Sequence, residues 1–340
     1  MKIITDPHSF HKKLSRPLVL AIGNFDGFHR GHQKLLKYVR KQAGKHNAFA
    51  AVLTFRQHPH SILRPREKPL LLYGPEQKLF YLEQAGMDFC FLQSFTPAFS
   101  QLSPREFVEK ILVGKLNVCE VVMGFDAHFG HGREGDTATM AAFAKEYGFL
   151  FRKMGPVMIG TKPVSSSLIR KLLIQGKMEK VRECLGRSFS LFGKVVHGKG
   201  HGMHLGFPTA NLEVHSDIMI PRGVYVASGR MLSERRKNGA RNRCALRVAR
   251  CANQWLPGVM NFGKRPTYPA SETPQPVLEL YLLDFKGKIY GQAMEVAMHR
   301  FLRPERRFVS EEALCMKIAG DVSKARAYHQ KTRRLTPAER

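Results

Sequence analysis

Acidic residues are scarce in this sequence: 27 Asp plus Glu stand against 55 Lys plus Arg in 340 residues, a formal net charge of +28. Cysteine is sparse too, and its six positions (Cys90, Cys119, Cys184, Cys244, Cys251 and Cys315) hold no Cys-x-x-Cys pair. That argues against a disulfide framework or a cysteine zinc site and for reduced thiols in a cytosol. No apolar run approaches the roughly 18 residues of a membrane span, and the first fifteen residues lack the layout of a secretory signal. The expectation is a soluble, cytoplasmic protein with no membrane partner. The excess of positive charge would draw anions, among them nucleic acid, acidic lipid and phosphorylated small molecules. Basic residues are spread along the chain, densest at 235–250 and from Lys324 onward, with no aromatic residue in the first stretch and Tyr328 alone in the second to stack on bases. A basic solvated surface is therefore expected ahead of a nucleic-acid site, and no nucleic-acid partner.

What is present is enough for a real core, 43% hydrophobic residues, in a length that suggests two domains. From Leu18 to about Leu185 apolar runs alternate with amphipathic stretches. Strands are expected at 18–22, 49–55, 89–93, 120–123 and 149–153, and helices near 76–85, 104–114 and 137–147. Such alternation predicts an α/β parallel sheet wrapped by helices, with its ligand at the carboxyl ends of the strands. After Leu185 short β-rich runs broken by Gly and Pro follow, at 190–197, 223–230, 277–283 and 293–298. Strands without intervening helices argue for an antiparallel barrel or sandwich. A last helix at 310–328 would turn Leu314, Ile318 and Val322 inward. Residues 232–254 read as a long basic loop between strands, and 332–340 as a frayed tail.

The chain is organised around Gly23-Asn24-Phe25-Asp26-Gly27-Phe28-His29-Arg30-Gly31-His32, which lies where an apolar strand turns into a helix. A helix start offers unpaired N–H groups and the positive end of its dipole, and Gly27 and Gly31 would let the backbone approach a phosphate closely. His29 and His32, three apart, can lie over the same phosphate and donate to charge that develops during transfer. A solvated histidine pair at a cap is the plainer alternative, weakened by the strand and the glycine-rich turn before it. Thr54-Phe55-Arg56-Gln57-His58-Pro59 closes the next strand, and Gly124-Phe125-Asp126 closes a later one, where Asp126 is either a ribose or adenine acceptor or a turn carboxylate. Ser165-Ser166-Ser167, with Arg170 within two turns, make a second phosphate-suited helix start. In the second half Thr209 and Asn211 of Gly206-Phe207-Pro208-Thr209-Ala210-Asn211 can turn a hydroxyl and an amide toward one hard cation. His197, His201 and His204 precede it without a Cys or carboxylate, which does not favour a transition-metal site. Glu279 lies on the strand face opposite Leu278 and Leu280, either as a solvated residue or as a base for an attacking hydroxyl.

Taken together, Gly-x-Phe-Asp-Gly-x-His-x-Gly-His, Ser-Ser-x-x-Ile-Arg and Gly-Phe-Pro-Thr-Ala-Asn resemble the bacterial bifunctional riboflavin kinase/FMN adenylyltransferase family, also called FAD synthetases. Leu185-Gly186-Arg187, Pro221-x-Gly223-Val224-Tyr225, Gly263-x-Arg265-Pro266-Thr267, Tyr290-Gly291 and Arg303-Pro304-Glu305 extend the likeness from about Leu18 to Ala325. The resemblance implies a Rossmann-like nucleotidyltransferase domain of the HIGH superfamily at 1–185. It also implies a six-stranded β-barrel riboflavin kinase domain with a terminal helix at 186–330, and a basic tail at 331–340. It implies Mg²⁺ and ATP, with riboflavin, FMN and FAD as substrates or products, in a monomer or weak homo-oligomer. By the resemblance, His29 and His32 stabilise the transition state of adenylyl transfer and Glu279 activates the riboflavin hydroxyl. Gly23, Asn24, Phe25, Asp26, Gly27, Gly31, His58, Asp126, Ser165, Ser166, Ser167, Arg170, Gly206, Pro208 and Thr209 would hold nucleotide or phosphate. Thr209 and Asn211 would hold Mg²⁺, and Phe55, Phe129, Arg303 and Glu305 would meet flavin. Where the family usually has proline, aromatic and arginine residues, this chain has Gln57, Ala127, and His201 with Met203. Two other readings stay open: an adenylyltransferase with a degenerate kinase domain, and a non-enzymatic nucleic-acid binder.

Overall fold

The computed structural model describes residues 1–5, 14–56, 70–198, 201–214, 219–234, 246–248, 254–264 and 276–334. They fall into two compact units, one ending at Ser166 and the other beginning at Ser167. The first unit holds six strands: β1 (Lys2–Ile4), β2 (Leu18–Ile22), β3 (Phe49–Phe55), β4 (Phe89–Gln93), β5 (Val118–Gly124) and β6 (Leu150–Met154). All pair in parallel in the order β1-β4-β3-β2-β5-β6. β2 and β4 are buried along their whole length, which is why they read as unbroken apolar runs and not as alternation. The helix α1 (Arg30–Lys45) lays Leu35, Leu36, Val39 and Ala43 inward. Two further helices, α2 (Pro75–Gln84) and α3 (Thr137–Tyr147), stand close to their expected bounds.

The stretch expected as a helix over 104–114 departs from regularity. A capping box between Ser103 and Glu106 starts it, but from Phe107 to Val113 it is a π-helix. Widening the turn sends Phe107, Val108, Ile111 and Leu112 together into the core. From β2 the chain builds outward through β3 and β4, then returns to place β5 on the other side of β2. The carboxyl ends of β2 and β5 therefore flank a topological switch point, the position where an open parallel sheet leaves a crevice. A short hairpin, β7 (Met158–Ile159) with β8 (Lys162–Pro163), follows the sheet.

Two helices, α4 (Ser166–Ile174) and α5 (Met178–Leu185), precede the strands of the second unit. These are β9 (Phe189–Val196), β10 (Thr209–Val214), β11 (Gly223–Glu234), β12 (Leu246–Val248), β13 (Leu256–Lys264), β14 (Pro276–Leu282) and β15 (Ala293–Pro304). The ring β11-β13-β14-β10-β9-β15 closes because β15 also pairs with β11, giving a six-stranded antiparallel barrel. Register shifts between Val224/Tyr225 and Val226/Ala227 bend that seam so that the twelve-residue strands can meet both neighbours. Ala210, Leu212, Tyr225, Met260, Leu278, Leu280 and Val296 are buried within it.

Sequence patterning drew only four of these strands. β10 opens inside the Pro-Thr-Ala-Asn motif. β13 contains Pro257, Gly258, Asn261 and Gly263, which break its alternation. Residues 232–254 are not simply a loop: β11 runs to Glu234, and its end pairs with β12. The final helix, α6 (Glu311–Arg334), reaches past 328. Its Ala325 is buried with Val224, Val226 and Val259, and Val322 and Tyr328 pack beside them. Leu314, Ile318 and Val322 are half-buried.

Candidate active sites

At the end of β2 the chain makes a tight loop in left-handed backbone. Phe25, Gly27 and Phe28 have φ of 52°, 80° and 45°. For Phe such conformations cost on the order of 1–3 kcal/mol each, and burial offsets the cost. Phe25 is 1% exposed, and Phe28 stacks on Tyr81 of α2 at 5.4 Å. A Cβ on Gly27 would stand 2.5 Å from Leu72 Cδ1. The Asp26 carboxylate is buried and accepts from the backbone N–H of Leu72 (3.0 Å) and Tyr73 (3.3 Å). Its charge is thus spent on fixing the loop to the segment before α2. On the other side Ser166 Oγ donates to the Asp26 carbonyl at 2.9 Å. One of the expected serines is therefore tied to the loop directly.

His29 ends this loop as the N-cap of α1. Its Nδ1 accepts from the His32 N–H at 3.4 Å, and the two rings stack 3.7 Å apart at 18°. An Nδ1 that accepts leaves the proton of a neutral ring on Nε2, which makes that edge a donor. His32 meets the Phe25 ring edge at 5.2 Å. Gly31 leaves room for the pair, since a Cβ there would approach the His29 ring to 3.0 Å. Two imidazoles at a helix start can thus present N–H groups, together with the helix dipole, to one phosphoryl group. Across the switch point Asp126 is exposed and folds back on Gly124, while His128 Nδ1 lies 3.0 Å from the Asp126 carbonyl and 3.1 Å from Arg133 Nη2, so that it either donates to the first or accepts from the second.

Other expected residues find different surroundings. Phe129 is 8% exposed and packs on Phe107 in the core, so it shapes its loop from the inner side. Phe55 is half-buried against Phe95 and Phe99. Ala127 packs against the same core cluster as Phe129. Ser165 and Ser166 are half-buried and Ser167 is exposed, while Ser167 and Arg170 lie on α4, counted with the second unit. His58 and Gln57 lie outside the described residues.

Two residues of this site escaped sequence reasoning. Lys78, on α2, is 8% exposed and donates to the carbonyls of Phe55 (2.6 Å) and Asn24 (3.4 Å). Thr54, fully buried, donates its hydroxyl to the same Asn24 carbonyl at 3.1 Å. Burial lowers Lys78 to about 8, opposed by the nearby Cys90 thiol and Asp26 carboxylate; the Cys90 thiol itself is pushed up to about 12 by burial. The signal in the sequence was a lysine flanked by Leu79, Phe80, Tyr81 and Leu82, all of which are buried.

In the second unit the groups are set by strand register. Asn211 of β10 stands directly opposite Glu279 of β14, and Glu279 directly opposite Asn261 of β13. Opposed residues share a face, so an amide, a carboxylate and a second amide form one row on the outer face of the barrel. Thr209 and Tyr281 form the neighbouring pair. Asn261 is the further residue that motif reading missed. Gly198 and Gly202 lie against this row: a Cβ on Gly198 would be 2.0 Å from Asn211 Nδ2, and one on Gly202 would be 3.1 Å from Thr209 Oγ1. The segment after β9 can thus cover Thr209 and Asn211 only with glycine there. Oxygen donors from Thr209 and Asn211, with few protein ligands needed, suit Mg²⁺ that keeps its waters. No cluster of three or more His, Cys, Asp or Glu suited to a metal occurs among the described residues. Gly206 and Pro208 are exposed before the row. Arg303 is held by the buried Asp321 at 2.8 Å, and exposed Glu305 closes against Gly263.

A phosphate-suited helix start at the switch point of a parallel sheet, followed by a closed barrel bearing hydroxyl, amide and carboxylate in register, defines a two-unit enzyme of nucleotide-dependent group transfer. Comparison with known proteins makes this specific. The family model for FAD synthetase matches residues 11–168, and that for riboflavin kinase matches 185–329. The bifunctional riboflavin kinase/FMN adenylyltransferase of Haemophilus influenzae is 32% identical over 96% of this chain and 99% of its own length. Those of Escherichia coli and Bacillus subtilis are also 32% identical, over 96% and 97% of this chain and 98% of each relative. The chain belongs to the bifunctional riboflavin kinase/FMN adenylyltransferase family. A crystal structure described as a macrolide-efflux protein from Streptococcus pneumoniae is also similar, with a TM-score of 0.78 and 26% identity over 95% of this chain and 98% of that one. No helix among the described residues here is long and apolar enough to cross a membrane.

Proposed function

We propose that this protein phosphorylates riboflavin with ATP to give FMN and then transfers the adenylyl group of a second ATP to FMN, giving FAD and pyrophosphate. The reading is carried by one observation: each family motif stands on its own complete fold, the histidine motif at a sheet switch point and Thr209, Asn211 and Glu279 in one register row. We assign adenylyl transfer to 1–185 and phosphorylation to 186–330, with 331–340 as a basic tail. The protein is read as cytoplasmic, acting on small molecules as a monomer or weak homo-oligomer.

In phosphorylation, Glu279 takes the proton of the riboflavin 5′-hydroxyl as its oxygen attacks the γ-phosphorus and ADP leaves. Asn211 and Asn261 flank that carboxylate and orient it. Thr209 and Asn211 would hold Mg²⁺, which when bound supplies charge neutralisation on the nucleotide phosphates. Arg303 and Glu305 are assigned to flavin. In adenylyl transfer, a phosphate oxygen of FMN attacks the α-phosphorus of ATP and pyrophosphate departs. His29 and His32 donate to the oxygens that gain charge, with the α1 dipole behind them. Asn24 and Asp126 position the nucleotide, and Ser165, Ser166 and Arg170 contact phosphates. Asp26 serves the same site by fixing the loop.

A chromatographic time course with riboflavin, ATP and Mg²⁺, run beside one started from FMN, tests this reading. FMN appearing first and FAD after it supports both activities. FAD from FMN with nothing from riboflavin would leave an adenylyltransferase alone, and no product from either would remove the function.

A further inference from the structure

We infer that Lys78 is a positioning residue for adenylyl transfer, its ammonium group pinning the Gly23–His29 loop to the end of β3 so that His29 and His32 are held in place. The inference rests on the adenylyltransferase reading. The geometry is specific. Lys78 reaches from α2 to the carboxyl edge of the sheet and bonds two carbonyls, those of Asn24 and Phe55, which begin the loops after β2 and β3. Neighbouring β2 and β3 run parallel, so these carbonyls lie side by side beyond the last ladder bond. Thr54 Oγ1 also donates to the Asn24 carbonyl. The strained backbone at Phe25, Gly27 and Phe28 follows directly, and four residues beyond Phe25 the chain reaches His29.

Lys78 donates to neutral carbonyls, and among the described residues no carboxylate stands at ion-pair distance from it. Bonds from an ammonium group are roughly twice as strong as those from a neutral amine, so the pin weakens when the proton is lost. The groups acting on that proton are the Cys90 thiol from β4 and the Asp26 carboxylate from the β2 loop; β3 offers only its carbonyl. Burial outweighs both and brings the lysine to about 8, within reach of ordinary assay conditions. Cys90, pushed up to about 12 by burial, stays a neutral thiol in that range, which leaves the Asp26 carboxylate as the charge that favours the ammonium form.

The test uses the full-length protein and measures kcat and KM for FMN-to-FAD conversion from pH 6 to 10, with riboflavin phosphorylation followed in parallel. In the unsubstituted protein kcat should fall about tenfold across a basic limb near pH 8, with KM for ATP changing much less. Lys78→Arg, whose charge persists, should push that limb to higher pH, and Lys78→Met should lower kcat at pH 7 by about tenfold or more and flatten the limb. Riboflavin phosphorylation should follow none of these changes. Lys78→Met leaves an apolar chain among polar acceptors and can fail to fold, so Thr54→Val, which removes only the second donor to Asn24, should give a smaller drop in kcat with the limb kept. A flat profile to pH 10 with good FAD synthesis overturns the inference, as does a limb unchanged in Lys78→Arg. Absence of FAD at every pH would instead remove the adenylyltransferase reading, and the inference with it.

Discussion

The two candidate sites fix their polar groups by opposite means. In the second unit the positions of Asn211, Glu279 and Asn261 are consequences of strand register, and ladder hydrogen bonds on both sides fix them. A one-residue slip would turn the whole row into the barrel and its leucines outward, so the burial of Leu278 and Leu280 enforces the site. In the first unit His29 closes a loop that no ladder holds, and His32 stands in the first turn of the helix that this loop starts. There the work falls to separate clamps: Asp26 on two amides, Ser166 on the Asp26 carbonyl, Thr54 and Lys78 together on the Asn24 carbonyl, Lys78 also on that of Phe55, and buried Phe25 and Phe28. A register-built site should tolerate changes around it and fail at its own residues. A clamped loop should also fail when distant clamps are removed.

The largest expected effect falls at the register row. Glu279→Gln keeps shape and removes the proposed base, so riboflavin phosphorylation should drop by about 10² to 10⁴ while FAD formation from FMN is kept. Equal loss in both reactions, measured on one preparation, would mean that the two sites are not separable. Next comes His29→Ala, which should lower FAD formation by about 10² to 10³ and leave FMN production from riboflavin intact. A smaller effect is expected at Gly198→Ala. Its Cβ would press on Asn211 from 2.0 Å, so the Mg²⁺ needed for half-maximal phosphorylation should rise by about tenfold, roughly the cost of one weakened charge-assisted contact. An unchanged Mg²⁺ requirement would show that Asn211 does not depend on this approach, and the register account would then suffice without the glycine.

The same contrast explains what was legible in the sequence. β2, β3 and β4 appear at their expected bounds because buried parallel strands are continuous apolar runs punctuated by polar loops. The histidine motif was legible because its residues are contiguous. Lys78 was not, since the acceptors that give it meaning lie 54 and 23 residues away. Asn261 was hidden for a related reason: only pairing with β14 brings it beside Glu279, and Gly258 and Gly263 around it break the alternation that would mark a strand. The π-helix at 107–113 and the closure of β15 on β11 are likewise products of packing and bulges, which leave no periodicity to read.

The smallest expected effect concerns the rigidity of the barrel itself. His299 has Ser188 Oγ at 2.8 Å from Nδ1 and Ser228 Oγ at 2.9 Å from Nε2. Burial of the ring, with His329 and Arg182 nearby, lowers it from 6.5 to about 3. Between those values the unfolded chain binds a proton that the folded barrel refuses. The stabilisation is therefore complete above about pH 6.5 and is lost as pH falls toward 3. His299→Gln keeps polar ends for the serines but does not titrate, so it should cost stability at pH 7 and flatten the acid slope between pH 6.5 and 3. The sole tryptophan, Trp255, lies beside Arg230 in the same unit, so its fluorescence during thermal unfolding reports this unit. A difference of a few degrees in Tm at pH 7 that vanishes by pH 4 is the expected result. An acid slope equal in the two proteins would assign the acid sensitivity to other groups, and would mean that the register-built unit does not depend on this buried histidine.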